Sequence, residues 1–221
     1  MAAVALHEGA DAERRLGSLG IRLDWLDRAI RAGVEASTTA TPDEPAVSTG
    51  LKDWMARVGT LRQLLRTEAG WVRLDQLNVP LVHNPAKTIA LGVMLGNENT
   101  GYAHGGQPAS KSAKGPAFAK ITAGNTIPLL TRAEVAGPGH LEDAELAGLQ
   151  VWFLLTYAVA LDGNLHVFRE VSLPAPTIDG EKITSWLTRI VLPPMNFGPV
   201  PFPAHTALAD FDDLDVLVEP L

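Results

Sequence analysis

The sequence predicts an α+β protein, with two N-terminal amphipathic helices packed on a mostly antiparallel β-sheet and a long Gly/Lys-rich loop between strands. Three observations predict it. Apolar residues recur at a helical spacing up to Gly70, the spacing shortens to two from Trp71 onward, and residues 99–133 contain no Asp or Glu but are rich in Gly, Pro, Ser and Lys. Helices first and strands afterwards is the order of an α+β chain, because a parallel α/β sheet would interleave them.

The first helix is expected over residues 11–36. There Leu16, Leu19, Leu23, Leu26, Ile30 and Val34 fall on one stripe. Residues 37–50 carry Pro42, Pro45 and Gly50 and read as a linker. A second helix starts with Thr49 as its cap, places Trp54, Val58, Leu61 and Leu65 on one face, and stops at Gly70. Such stripes must bury themselves against each other or against a sheet.

From Trp71 a strand, a turn near Asn78 and a second short strand follow, then a firmer strand over residues 87–95. Residues 149–161 form the longest apolar run, rich in the residue types that favour strands and too short to cross a bilayer as a helix. Being apolar on both faces, it should be a central strand covered on both sides. Asp162-Gly163-Asn164 is a hairpin turn, and residues 165–173 return with Leu165, Val167, Val171 and Leu173 on one face, interrupted by Arg169. A short strand or an edge element ending at Pro193 is expected from the residues that start at Ser185.

The chain is read as a single domain, residues 1–221, with a helical part at 1–70 and a β-rich part at 71–221. Of 221 residues, 46% are hydrophobic, enough to fill a core and too many for a disordered chain. The absence of cysteine excludes disulfides, thiol catalysis and thiolate metal ligands. The N-terminus lacks the basic and apolar regions of a secretory leader, so a cytoplasmic protein is expected. An alanine-rich composition with Arg in excess of Lys suggests a GC-rich bacterial genome.

The formal net charge is −7, which makes the acid-free residues 99–133 stand out as a local basic loop. Lys111, Lys114, Lys120 and Arg132 supply charge, and Tyr102 and Phe118 supply aromatic surface. This combination suits an anionic partner, either an acidic protein surface or a phosphate backbone. A protein partner or a second copy is the first expectation and nucleic acid the second, because the overall negative charge repels nucleic acid at long range. No membrane partner is expected.

Catalytic patterns are incomplete throughout. Residues 105–112, GGQPASKS, approximate a phosphate-binding loop, but Ser110 replaces its second glycine and Gly115-Pro116 interrupts a following helix. The six histidines show no metal-ligand spacing. Asp162, Glu170, Asp179, Glu181 and Lys182 surround the late hairpin without the acidic-x-Lys triplet of a metal-dependent nuclease, and no G-x-S-x-G elbow occurs. Asp210 to Leu214 resembles, over five residues, the acidic tail with which bacterial single-stranded DNA-binding proteins recruit partners, although here the chain continues past it.

The expected role is a non-catalytic accessory or adaptor subunit binding a macromolecular partner. Its contacts would be Tyr102, Lys111, Lys114, Phe118, Lys120 and Arg132 in the loop, with the acidic segment 207–221 as a second contact. The alternative is a metal-assisted hydrolase or nuclease using His83, Glu98 and His104, should the loop fold back over the sheet. No cofactor is expected.

Overall fold

The structure, a computed structural model, describes residues 4–125, 148–178 and 180–199. It is α+β. A seven-stranded sheet runs in the order β1-β7-β6-β5-β4-β3-β2, built from β1 (Ala5–His7), β2 (Val72–Gln76), β3 (Val79–His83), β4 (Ile89–Leu95), β5 (Gln150–Leu161), β6 (Asn164–Pro174) and β7 (Trp186–Asn196). Four of its pairings are antiparallel; β1 with β7 and β4 with β5 are parallel.

Three helices lie between β1 and β2 where two N-terminal helices were expected: α1 (Gly9–Ser18), α2 (Leu23–Ser37) and α3 (Ser48–Ala69). The expected first helix is divided at Gly20, whose φ of 72° is left-handed. The Gly20 amide donates to the Gly17 carbonyl and the Ile21 amide to the Leu16 carbonyl, at 3.0 Å each. This is the Schellman closure of a helix, and the accompanying apolar pair, Leu16 and Ile21, is buried in the same core. The helical stripe therefore continues in sequence across a chain reversal that a periodicity count does not see.

Helix α2 lies against α3 at Gly33, where a Cβ would stand 2.0 Å from the Asp53 carboxylate. That carboxylate holds the buried Arg57 guanidinium, with Nη2 contacts of 2.5 and 2.6 Å, and Arg57 also donates to the Thr156 hydroxyl of β5. Asp27 of α2 likewise pairs with Arg169 of β6, whose Nε donates to the Pro193 carbonyl at 2.8 Å. The arginine that interrupts the apolar face of β6 thus ties helix to sheet. Of the two register shifts between β6 and β7, the one between Val167 and Arg169 falls at Pro193 and Pro194, neither of which can donate to a ladder.

The central strand is β5, as its two apolar faces require. Trp152 and Leu154 enter the core beneath the helices, whereas Val151, Phe153 and Leu155 enter a second core on the opposite face. The β5–β6 hairpin turns through Asp162 and Gly163, with Leu161 opposite Asn164. The pairing of β4 with β5 is parallel, which was not expected, and it demands a long crossover between them. The described part of that crossover lies on the second face and includes α4 (Pro116–Thr122), whose Ile121 and Phe118 pack into the second core.

Candidate binding cavity beside the lysine segment

Residues 96–118 cover one face of the sheet and are held to it by backbone hydrogen bonds. Leaving β4, the chain turns at Asn97 and Thr100, and Asn97 exchanges backbone hydrogen bonds of 3.0 Å with Ala109 through its amide and its side-chain oxygen. The Lys111 amide donates to the Leu95 carbonyl at 2.9 Å, so the segment runs back along the end of β4. Ser110 bonds Ile183 through both its backbone and its hydroxyl. Lys114 exchanges backbone bonds of 2.9 Å with Gly180 and Glu181.

Beneath this cover lies a buried ion pair. Glu170 and Arg189 meet twice, Nε to Oε1 at 3.0 Å and Nη2 to Oε2 at 2.6 Å, with exposures of 0% and 3%. The same pair grips the loop backbone, because the Gly101 amide donates to Glu170 and Arg189 donates to the Tyr102 carbonyl, at 2.9 Å each. Gly101 has a φ of 78°, and a Cβ there would stand 2.7 Å from the Arg169 amide. The only residue that fits this approach without displacement is glycine.

The sheet opens a cavity of about 310 Å³ next to this segment. Its origin is in the sequence. The two-residue turn Leu77-Asn78, both with positive φ, makes Gln76 and Val79 the hydrogen-bonded pair of the β2–β3 hairpin. The next residue, Pro80, then turns its nitrogen toward β4 and has no hydrogen to donate. The ladder between β3 and β4 accordingly covers Val82 with Leu91 and His83 with Ala90, and the strands part beyond them. Val79 and Pro80 line one side of the gap and Val93, Met94 and Leu95 the other.

Leu51 and Trp54 of α3 close the cavity toward the helices. Lys111, Ser112, Lys114 and Phe118 form its remaining rim. Lys114 Nζ donates to the Ser112 hydroxyl at 2.8 Å and lies 5.4 Å from the centre of the Phe118 ring. Most of these rim residues are half-buried, so the cavity opens to solvent. A small apolar pocket with two lysines in its lining is suited to holding an apolar group that carries negative charge beside it.

Three of the six expected contact residues, Lys111, Lys114 and Phe118, therefore converge on one cavity. The others do not join them. Tyr102 stacks on Phe168 of β6 at 4.7 Å, Lys120 is exposed on α4 away from the lining, and Arg132 lies outside the described residues, as does the acidic segment 207–221. Trp54, Pro80 and Met94 were missed by sequence reasoning; a proline inside a strand pattern was the available signal.

The three residues of the alternative reading do not form a metal cluster among the described residues. His83 stands opposite Ala90, near the start of β4, and its Nδ1 is 2.7 Å from the Asn84 carbonyl. Glu98 and His104 follow the far end of β4, and five strand residues separate the two positions by roughly 17 Å. Among the described residues no group of three or more His, Asp or Glu side chains could hold a metal ion, and no helix is long and apolar enough to cross a membrane.

Searches of protein-family models, curated proteins and solved structures found no match to this chain.

Proposed function

We propose that the chain is a non-catalytic accessory subunit that binds a macromolecular partner, a protein in the first instance, at the lysine-edged cavity between α3, β3, β4 and residues 111–118. The observation that carries this reading is the convergence of Lys111 and Lys114 on a preformed apolar cavity. The ionisable groups paired elsewhere support it as well. Asp27 with Arg169 and Glu170 with Arg189 each hold one element to another, and Arg57, paired with Asp53 within α3, donates to Thr156 of β5, which is the chemistry of a scaffold. The hydrolase alternative gains no support, because His83 lies far from Glu98 and His104.

Co-purification from the native cell tests the proposal. A stoichiometric partner should accompany the wild-type chain and be lost from a Lys111→Ser/Lys114→Ser variant with an unchanged urea midpoint. Equal recovery with both chains would remove the cavity from the binding role.

A further inference from the structure

We infer that the cavity receives one large apolar side chain of an acidic peptide, flanked on that peptide by Asp or Glu residues that face Lys111 and Lys114. This rests on the binding role proposed above and specifies the chemistry of the partner.

Size and wall chemistry define the anchor. A volume of about 310 Å³ is at the lower end of ligand pockets, and the cavity is open on its rim, so it accommodates a side chain better than an enclosed cofactor. Trp54, Pro80, Val93 and Met94 present apolar surface, which favours Phe or Leu over a polar anchor. Lys111 and Lys114 line the cavity with Ser112 and Phe118, where carboxylates neighbouring the anchor would meet them.

Charge balance assigns the division of labour. With a net charge of −7 the chain repels anions at long range, so an acidic peptide cannot be held by charge alone. The apolar anchor must supply most of the affinity, and the lysines select which anchors are accepted.

Nucleic acid fits less well. Bases need open aromatic faces beside the cations, yet Tyr102 stacks on Phe168 at 4.7 Å outside the cavity lining, and Phe118 is stacked on Phe153 at 5.6 Å. Two lysines are also few for a phosphate backbone, whose binding grows with the number of phosphates neutralised.

The test uses the full chain and a fluorescently labelled, end-blocked peptide of Asp and Glu with one central Phe. Saturable binding should appear at low salt. Replacing the peptide's Phe by Ala should weaken it about tenfold or more, and replacing its acids by Asn and Gln should weaken it severalfold and flatten its salt dependence. Lys111→Gln/Lys114→Gln should reproduce the second loss, and Leu51→Trp, which fills the cavity, should reproduce the first. The peptide exchanges decide the matter even if a protein variant fails to fold. Equal binding of the Phe and Ala peptides, no saturable binding at millimolar peptide, or tighter lysine-dependent binding of a thymidine oligonucleotide would each overturn the inference. A lysine-dependent native partner recovered alongside a failed peptide would overturn the peptide chemistry and leave the binding role standing.

Discussion

The two faces of the sheet are covered by different means. On one face α1, α2 and α3 bury apolar stripes against Trp152, Leu154, Val167 and Val171, and the cover is held mainly by side-chain packing. On the other face a Gly- and Pro-rich segment has few periodic apolar residues and is held by its backbone. Glu170 and Arg189 grip Gly101 and Tyr102, Trp186 donates to the Pro108 carbonyl at 2.7 Å, and Asn125 bonds Val151 and Pro174. A packed cover tolerates local loss by adjusting neighbours; a pinned cover depends on a few groups that are costly to leave unpaired. The candidate cavity opens where the two kinds of cover meet.

The largest effect should come from breaking the central pin. Glu170→Ala leaves Arg189 charged, 3% exposed and without its carboxylate, and it releases the Gly101 amide. Removing one partner of a buried pair costs about 3–5 kcal/mol. Urea denaturation should show that loss, and limited proteolysis should show faster cleavage within residues 97–110. A loss below about 1 kcal/mol would mean that the cover is held by something other than this pair.

The packed face supplies the control. Leu61→Ala, at a residue 1% exposed in α3, should cost about 3 kcal/mol by removing buried methyl groups and leaving a cavity. Proteolysis within residues 97–110 should stay at the wild-type rate when measured well below the unfolding midpoint. Equal acceleration in both variants would show that the two faces open together, and the contrast between them would fail.

Asn125→Ala tests whether a single neutral pin matters. Its side chain accepts from the Val151 amide at 2.8 Å and donates to the Val151 and Pro174 carbonyls at 3.2 and 3.0 Å. Alanine would leave those buried backbone groups unsatisfied, at a cost of about 2 kcal/mol. Hydrogen exchange at the Val151 amide should accelerate more than at Leu154, which faces the helical core.

What the sequence made legible follows the same division. Periodicity located the helical residues, the central strand and the Asp162 hairpin, since each is set by contacts near in sequence or by an apolar pattern. It did not reveal β1, whose three residues gain meaning only beside β7, nor the parallel pairing of β4 with β5. The fold of residues 96–125 was illegible because its pins join distant positions: Gly101 to Glu170, Ser110 to Ile183, Asn125 to Val151. For the cavity, Lys111, Lys114 and Phe118 were visible as charge and aromaticity, but the walls arise from the divergence at Pro80, a tertiary event.

The smallest expected effect concerns Asp75, at the rim of the packed face. Arg62 of α3 reaches its Oδ1 at 2.5 Å and Arg73 its Oδ2 at 2.5 Å. Partial burial acts to raise the carboxyl pKa, but the hydrogen bonds and charges of Arg62 and then Arg73 outweigh it and hold the group below 3.8. A folded-state pKa below the unfolded one means stability that is present above pH 4 and lost as the pH falls through the folded value. The side chain is 40% exposed, so screening limits the contribution to less than about 1 kcal/mol. Asp75→Asn should therefore be slightly less stable than wild type at pH 7, and the gap should narrow as the pH is lowered toward 3. Chemical denaturation of both chains at the two pH values, at low and high salt, reads this directly. A gap that is independent of pH and salt would assign the site to hydrogen-bond geometry, and charge would then play no part in joining α3 to the sheet edge.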